Sequence, residues 1–423
     1  MNIAICGLIH SDNLGEKFIS ESLEYLIRKE LLKNYGINDV NFTEVDIFGR
    51  EKPLSEQISN RYKVPNLYKS RNLSKAEDIV YCLKKLTAKI LKKTSLKNTG
   101  FKIMHNLWQT SYNCRPRHEA YFKEMFRGTD VIVVDGAGLL EYLYNEYQEM
   151  LCLISELADE MKIPVFYNAV GCVGDYKLDD FRCTVMKKAV YADCVKYVSA
   201  RDSVETVQQY VGDKFKVKHV ADAAVWASEA YGISAMENRT KIGIGLIRGN
   251  SLQSYNVSFG EEDWIKLFCD IAKELEKRGY EYEFFCNGFK DDYELGQKVV
   301  ARLGADSSIL ADRPTQPGAL LHTISQYKAL ITCRMHSSIA AYSMGIPAVI
   351  LSRNDKVDKF MQFIGYPERA VRVENFKADH IVNLMEKAAE EGFEPENYNC
   401  IRASAVESVS DYAELLAKTA DKK

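Results

Sequence analysis

Short apolar runs alternate with longer amphipathic segments along most of the chain. The first run, residues 2–6, is closed by Gly7 and is followed by a polar loop and a helical pattern that ends at Gly36. A strand that feeds a helix in this way is typical of the opening of a doubly wound α/β domain. Further buried strands are expected at residues 40–45, 130–135, 163–168, 196–199 and 220–223.

The same alternation starts again after a polar connector at residues 230–240. An apolar run at residues 241–247 predicts a new first strand, and later strands and helices follow it. The chain of 423 residues exceeds one average core, so two domains of about 200 residues each are expected. We therefore predict two doubly wound, Rossmann-like domains at residues 1–235 and 236–400, an active cleft between them, and a terminal helix and tail at 401–423.

The most informative stretch lies near residue 334. An apolar strand at residues 329–333 ends at Arg334-Met335-His336, and a helical pattern then runs to Gly345. Ligands of open α/β sheets lie outside the carboxyl ends of the strands, where a helix N-terminus offers free N–H groups to an anion. Arg334 can hold a phosphate or carboxylate with its planar fork, and His336 can exchange a proton near neutral pH. A surface arginine beside a structural histidine is the alternative.

Several further residues are candidates for the same anion site. Ser337 follows the histidine in the first helical turn, and Lys356 belongs to a predicted polar loop, residues 354–356, after the next strand. Arg201 ends the strand at residues 196–199 as Arg334 ends its own, and Arg248 closes the strand at residues 241–247.

The first half offers candidates for a second, neutral substrate. Asn13 belongs to the polar loop after the first strand, where a simple capping turn is an equal alternative. Gly136 and Gly138 follow a buried strand and can bring backbone close to a ligand, although tight packing explains glycines equally well. Glu141 can supply a polar edge to a sugar pocket. The loop after the first strand lacks the Gly-x-Gly-x-x-Gly pattern, so no bound dinucleotide is expected.

A basic amphipathic helix is predicted between Lys75 and Lys93. Its apolar positions fall on one side, and lysines occupy the other sides. Residues 61–102 hold twelve lysines and arginines against two acids, a net charge of +10 within a chain whose net charge is −3. Contact with an anionic membrane surface is one interpretation, and packing on its own domain is the other.

Composition excludes several classes of protein. The chain has no apolar run of 18 residues and no signal-peptide pattern at its start, so a cytoplasmic protein is expected, with peripheral contact at the inner face of the membrane as an addition. Its eleven cysteines include no Cys-x-x-Cys pair, which predicts reduced, buried thiols and no metal site. The net charge gives no indication of a nucleic-acid partner.

Three motifs resemble the polysaccharide pyruvyl transferase family: Asn13-Leu14-Gly15-Glu16, Val198-Ser199-Ala200-Arg201-Asp202, and Arg334-Met335-His336-Ser337 with Gly345-Ile346-Pro347 and Lys356 or Lys359. The resemblance covers nearly the whole chain. It implies a GT-B-like fold and transfer of the enolpyruvyl part of phosphoenolpyruvate to a sugar, commonly as a ketal in cell-surface polysaccharide synthesis. Glu16 stands where the family usually has aspartate, and the segment from Asp135 to Gly138 replaces a run of three glycines.

The resemblance also implies roles for individual residues. Arg334 and His336 would bind or protonate phosphoenolpyruvate, and Arg201 would be a further anion contact. The acceptor would be a sugar or a lipid-linked oligosaccharide, and no cofactor beyond the donor substrate is expected. A glycosyltransferase that uses a nucleotide sugar and a non-catalytic sugar-binding protein remain as alternatives on the same fold.

Overall fold

The computed structural model describes residues 1–50, 75–111, 114–143, 146–249, 259–352 and 355–420. Parallel strands form two large sheets in this part of the chain. The strands are β1 Asn2–Gly7, β2 Asn41–Asp46, β3 Val131–Val134, β4 Leu140–Glu141, β5 Val165–Val170, β6 Cys172–Val173, β7 Val195–Ala200, β8 Lys218–His219, β9 Ile242–Gly245, β10 Tyr282–Phe285, β11 Ala329–Thr332, β12 Ala348–Ser352 and β13 Ala370–Arg372.

Helices connect most of these strands. They are α1 Leu14–Tyr35, α2 Lys75–Leu91, α3 Lys97–Thr110, α4 Arg115–Met125, α5 Tyr147–Met161, α6 Phe181–Tyr191, α7 Val204–Val211, α8 Ala227–Tyr231, α9 Glu261–Lys277, α10 Lys290–Leu303, α11 Pro317–Ser325, α12 Met335–Ser343, α13 Asp355–Phe363, α14 Ala378–Glu391 and α15 Pro395–Ala420. None of the helices in the described chain combines the length and the apolar character needed to span a bilayer.

The first large sheet has the strand order β2-β1-β3-β5-β7-β8, and all its pairs are parallel. Its central strand β3 consists of four buried residues, Val-Ile-Val-Val. Continuous apolar strands of this kind are expected where helices cover both faces of a parallel sheet. A separate short sheet pairs β4 with β6.

The second large sheet has the order β10-β9-β11-β12-β13, again all parallel. Its strands supply buried aliphatic side chains such as Ile244, Ile331 and Val349 to a core that also contains Trp264 and Phe268 of α9. The carboxyl ends of β10, β9 and β11 are therefore neighbours along one edge, and the loops that follow these three strands emerge together.

The chain forms two compact units, and each contains one large sheet. Unit 1 comprises residues 1–10, 28–220 and 408–423, whereas unit 2 comprises residues 11–27 and 221–407. Helices α1 and α15 each contribute residues to both units. The boundaries predicted from the sequence, 1–235, 236–400 and 401–423, are consecutive. In the structure, unit 2 includes the start of α1, and unit 1 includes the end of α15.

Two local predictions are wrong. Residues 220–223 do not form a strand: the first sheet ends with β8, and Ala223–Trp226 is a 3₁₀ turn, because Asp222 Oδ1 accepts a hydrogen bond from the Ala224 N–H at 2.9 Å. Lys356 does not lie in a polar loop but in the first turn of α13, where Asp355 and Asp358 favour helix initiation. Asn354 of that predicted loop lies outside the described residues.

The cysteines agree with the prediction of reduced thiols. All eleven are free, and nine of them are buried, with Cys82 and Cys400 exposed. Within the described residues, no three His, Cys, Asp or Glu side chains are grouped as metal ligands would be.

Candidate active site

Arg334 occupies the turn between β11 and α12, as the sequence predicts. It is the N-cap residue of α12 and has extended backbone angles, φ −109° and ψ 118°. Its N–H donates to Thr332 Oγ1 at 3.2 Å, so the last residue of the strand fixes the start of the turn. A carbon atom added to Gly245 of the neighbouring strand would lie 2.4 Å from the same hydroxyl oxygen, so glycine is required there.

The Arg334 side chain is buried and paired with Asp292 in the first turn of α10. Nε donates to Asp292 Oδ2 at 3.1 Å, and Nη2 reaches Oδ1 at 2.8 Å and Oδ2 at 2.5 Å. Asp292 is fully buried, so this is a desolvated pair with well-matched geometry. The carboxylate fixes the direction of the guanidinium, and Nη1 is the nitrogen that Asp292 does not engage.

Arg248 joins the same cluster from the loop after β9. Its N–H donates to Asp292 Oδ1 at 2.7 Å. Both guanidinium groups lie against the ring of Phe289, with the Arg334 carbon 4.5 Å and the Arg248 carbon 5.4 Å from the ring centroid. Arg313 also reaches this region, because its Nη1 donates to the carbonyl of Gly288 at 2.6 Å. Arg334 and Arg248 thus lie on one aromatic ring beside the Asp292 carboxylate, and Arg313 approaches from the Gly288 side.

His336 is buried in the first turn of α12 and faces the start of α1. Its Nδ1 lies 3.7 Å from Glu16 Oε1, a distance within ion-pair range and longer than a direct hydrogen bond. Asn13 positions that carboxylate: its Nδ2 donates to Glu16 Oε1 at 3.1 Å, and its backbone carbonyl accepts from the Glu16 N–H at 3.0 Å. Asn13 therefore forms a capping turn that also orients the acid beside His336.

Two glycines allow this close approach. A Cβ added to Gly15 would lie 2.2 Å from the Cβ of His336, so any side chain at position 15 would separate the helix from the histidine. Gly288 has φ +100° and lies against Leu14 and the Asp12 carbonyl. A backbone with that φ angle is readily adopted only by glycine.

Ser337 is fully buried and donates a hydrogen bond to Asn287 Oδ1. Asn287 follows β10, and its carbonyl accepts from the Leu14 N–H at 3.2 Å. Its side-chain amide nitrogen is buried and has no hydrogen-bond partner among the described residues. Buried donors are normally satisfied, so this one is a candidate contact for a bound anion.

The remaining predicted residues occupy other positions. Lys356 lies in α13 and is partly buried. Arg201 belongs to unit 1 and follows β7, where its Nε lies 3.7 Å from Asp202 Oδ2. A Cβ on Gly171 would lie 3.1 Å from the same Nε, so that glycine makes room for the guanidinium. The structure brings Asn13, Arg248, Arg334, His336 and Ser337 together within unit 2.

The three predicted acceptor residues after β3 also belong to unit 1. A Cβ at Gly136 would lie 2.7 Å from the carbonyl oxygen of Ala169, so tight packing accounts for this glycine. Gly138 is partly buried in the same turn. Glu141 is buried and pairs with Val173 between β4 and β6.

Sequence reasoning missed Asp292, Phe289 and Asn287. All three follow β10, in the segment Cys-Asn-Gly-Phe-Lys-Asp-Asp at residues 286–292. A polar group after a buried strand was the signal that identified Arg334, and the same signal was present here. Burial raises the pKa of the adjacent Cys286 thiol to about 11, so this thiol is protonated at neutral pH and is not a nucleophile.

This arrangement can bind an anion and transfer a proton. Arginine side chains lie at the carboxyl ends of β9 and β11, where ligands of parallel sheets bind. His336 lies in the first turn of α12, and the Glu16 carboxylate lies on its Nδ1 side. The first feature matches a phosphate or carboxylate, and the second matches general acid or base chemistry.

Comparison with known sequences gives one family. The model of the family described as "Polysaccharide pyruvyl transferase" matches residues 13–356, and this confirms the resemblance seen in the three sequence motifs. No curated protein sequence matches the chain.

Solved structures with the same architecture include two UDP-GlcNAc 2-epimerases. The enzyme from Neisseria meningitidis, solved with UDP-GlcNAc, is 10% identical, with 100% of both chains covered and a TM-score of 0.51. The enzyme from Methanocaldococcus jannaschii is 10% identical, covers 99% of this chain and 100% of its own, and has a TM-score of 0.53. At this identity the likeness establishes the fold alone, and it confirms the predicted two-domain, GT-B-like α/β class.

Proposed function

Because this chain belongs to the polysaccharide pyruvyl transferase family, we propose that it transfers the pyruvyl group of phosphoenolpyruvate to hydroxyls of a sugar and closes a ketal. The observation that carries the proposal is the extent of the family match, from Asn13 to Lys356. That span includes the start of α1, the loops after β9 and β10, and the turn that holds Arg334 and His336. The family is a transferase family, so an enzymatic function follows from membership.

The arginine cluster supports the donor assignment. Phosphoenolpyruvate carries a phosphate and a carboxylate, and Arg248 and Arg334 present two guanidinium groups on the ring of Phe289. Guanidinium groups bind such anions with paired hydrogen bonds. We assign Arg334, Arg248 and the Asn287 amide to donor binding, with Ser337 holding that amide, and Arg201 and Lys356 remain proposed further cations.

His336 is the proposed general acid. It donates a proton to the methylene carbon of phosphoenolpyruvate, and C2 acquires the character of a cation stabilised by its oxygen substituent. Glu16 faces Nδ1 of the histidine at 3.7 Å and stabilises the protonated ring before the transfer. The carboxylate is itself held by Asn13, so the acid is oriented before the substrate arrives.

Two sugar hydroxyls complete the reaction. One sugar hydroxyl attacks C2 and loses its proton, and the second hydroxyl then displaces phosphate from the same carbon. The products are a pyruvate ketal and inorganic phosphate. One hydroxyl proton restores the acid and the other leaves with the phosphate. In this proposal the arginines neutralise the departing phosphate, and the chemistry calls for no redox cofactor.

The test is titration calorimetry with phosphoenolpyruvate and with UDP. We expect saturable binding of phosphoenolpyruvate that Arg334→Ala weakens by at least about tenfold, which corresponds to roughly 1.4 kcal/mol. Arg372→Ala is the matched control, because Arg372 is an exposed arginine of the same unit that pairs with Asp358. Its affinity should equal that of the wild type.

Each alternative predicts a different titration. Binding of UDP without phosphoenolpyruvate would indicate a glycosyltransferase that uses a nucleotide sugar, the ligand class bound by the epimerase from Neisseria meningitidis. Binding of a sugar alone, with neither UDP nor phosphoenolpyruvate, would indicate a non-catalytic sugar-binding protein. Either result would contradict the donor assignment.

We propose that the protein is a cytoplasmic enzyme of cell-surface polysaccharide synthesis and that it docks on the inner face of the membrane. Helix α2 carries Val80, Leu83, Leu86 and Ile90, whose side chains are between 49% and 58% exposed among the described residues. Side chains at positions 75–79 and 81 lie outside the description, as does the basic stretch from residue 61 to 74.

The side of α2 that packs on the protein is a different one. Ala88 is buried, and a Cβ added to Gly100 of α3 would lie 2.8 Å from the Ala88 carbonyl, so the two helices are in close contact there. At 3.6 residues per turn, Ala88 lies roughly 140° from the centre of the exposed apolar side. Lys84 borders that side next to Val80, and Lys92 and Lys93 follow the end of the helix; an apolar side with lysines beside it matches an anionic bilayer surface.

We expect the protein to sediment with vesicles of phosphatidylglycerol and phosphatidylcholine at low salt and to be released at high salt, because each lysine near an anionic surface contributes about 1 kcal/mol. The double variant Leu83→Asp/Leu86→Asp should abolish sedimentation. Leu32→Asp, at a leucine that is 54% exposed on α1, is the control and should sediment normally. Binding that is unchanged by the double variant would rule out α2 as the contact.

A further inference from the structure

A pocket in unit 1 lies among α3, α5 and α6 and has no role in the donor chemistry. Its apolar wall comes from Phe101, Met104, Trp108, Tyr142, Leu143 and Phe181. The pocket holds about 130 Å³, which is roughly ten times the space that one ordered water needs. Aromatic walls with a few converging polar groups are the usual composition of small-molecule sites.

A histidine of α3, two side chains of α5 and Glu146, the residue before α5, form one polar side of the pocket. His105 Nδ1 lies 2.9 and 2.8 Å from the two carboxylate oxygens of Glu149, and Gln109 contacts its Nε2 at 3.3 Å. Glu146 and Gln148 complete this side. Carboxylates accept hydrogen bonds, and an amide both donates and accepts them, so the set matches a ligand rich in hydroxyl groups.

Gln148 is the residue that indicates a ligand most directly. It is 4% exposed, and its side-chain carbonyl oxygen has no hydrogen-bond partner within the described chain. A buried acceptor without a hydrogen bond destabilises the fold by roughly 1–3 kcal/mol. If Gln148 had only a structural role, its carbonyl oxygen would be expected to accept a hydrogen bond from the protein. A hydroxyl of a bound molecule would supply the missing donor.

The charges of the pocket favour an uncharged ligand. Arg182 is neutralised by Asp180, whose two oxygens accept from Nε at 3.1 Å and from Nη2 at 2.9 Å, and its guanidinium covers the Phe101 ring at 3.8 Å. Lys92 also lines the pocket, and partial burial lowers the pKa of its ammonium group. With Arg182 neutralised, Glu146 and Glu149 face Lys92, so the site offers no net positive charge to an anion.

We propose that this pocket binds one uncharged sugar residue of the acceptor, with the ring against the aromatic wall and its hydroxyls on Gln148, Glu149 and Glu146. The identification of the sugar as an acceptor rests on the proposed function. Tyr142 adjoins Glu141, the predicted acceptor contact, and its hydroxyl donates to the Asp175 carbonyl at 2.7 Å. Lys92 follows the last residue of α2, so a saccharide in the pocket lies close to the proposed membrane contact.

The experiment uses methyl glycosides of glucose, galactose and mannose and of their N-acetylated 2-amino forms. Binding is followed by saturation-transfer NMR and by the fluorescence of the three tryptophans, Trp108, Trp226 and Trp264. At least one glycoside should bind saturably, and its fluorescence change should persist in Trp226→Phe and disappear in Trp108→Phe.

Gln148→Met separates a ligand contact from a structural one. It should weaken glycoside binding at least tenfold and leave the melting temperature equal or higher, because it removes an unpaired polar group. Gln208→Met is the matched control: that amide bonds the Gly212 carbonyl at 2.7 Å, the Phe215 carbonyl at 3.0 Å and the Val217 N–H at 2.9 Å. The control should lower the melting temperature and leave binding unchanged.

Two results would overturn the inference. One is the absence of saturable binding by any glycoside of the panel, and the other is unchanged affinity in Gln148→Met. Failure of the proposed function gives a different result: the calorimetric titration with phosphoenolpyruvate shows no binding, whatever the result for the glycosides. Glycoside binding without phosphoenolpyruvate binding would refute the donor assignment and leave the pocket assignment intact.

Discussion

His336→Gln is expected to lower the rate of acceptor-dependent phosphate release from phosphoenolpyruvate by a factor of roughly 100 to 10,000, the usual contribution of a general acid. Glutamine has a similar size and can keep a hydrogen bond, but it cannot deliver a proton to carbon. The fold should persist, because the histidine backbone remains in the first turn of α12. The measurements are phosphate release and thermal unfolding of the same preparations.

The control for this prediction is His322→Gln. His322 is an exposed histidine of α11 in the same unit, and its replacement should leave the rate unchanged. Glu16→Gln tests the pair from the other side: it should reduce the rate less than His336→Gln, since the acid loses its orienting charge but keeps its proton. In D₂O, the wild-type product should carry one deuterium in the pyruvyl methyl group. Wild-type activity in His336→Gln would contradict the assignment.

Asp292→Ala is expected to reduce the free energy of unfolding by about 3–5 kcal/mol, because it leaves the Arg334 guanidinium buried and unpaired. Asp292 accepts from Arg334 and from the Arg248 N–H, so its loss also releases both proposed donor contacts. Affinity for phosphoenolpyruvate should therefore fall together with stability. Denaturant unfolding and titration calorimetry on the same variant measure the two effects.

The double variant Asp292→Leu/Arg334→Met distinguishes stability from function. An apolar pair of similar volume often replaces a buried ion pair at little cost, so most of the lost stability should return. Phosphoenolpyruvate binding should stay lost, because the guanidinium is gone. Glu262→Ala, which breaks an exposed pair with Arg302 in the same unit, should leave unfolding and binding unchanged within experimental error. Binding that recovers with stability would assign Arg334 a purely structural role.

The sequence predicted the turn at Arg334 correctly because its signals are local. A β-branched run, a polar turn and a helical pattern follow one another within a few residues, and the structure places β11, Arg334 and α12 accordingly. The long helix after the first strand and most strands of the two large sheets were predicted for the same reason, whereas the short edge strands β8 and β13 were not. Residues 220–223 failed as a strand because one side-chain hydrogen bond of Asp222 redirected the backbone.

The partners of the site residues could not be predicted in this way. Asp292 precedes Arg334 by 42 residues, and Glu16 belongs to the first helix of the chain. Parallel sheets place loops side by side that are distant in sequence, and no local pattern specifies which loops these are. The prediction for α2 shows the same limit: its periodicity gave an apolar side, but periodicity does not state whether the protein covers that side.

By itself, the sequence determined the α/β alternation, the family and the pairing of an arginine with a histidine at a strand end, since each depends on neighbouring residues. Only the tertiary structure decided that Asp292 holds Arg334, that Glu16 faces His336 and that Gln148 has an unpaired oxygen in a pocket of unit 1. Those facts depend on burial and on distances between separate segments. Burial removes the water that would otherwise satisfy each polar group, so the partners present in the folded chain set its chemistry.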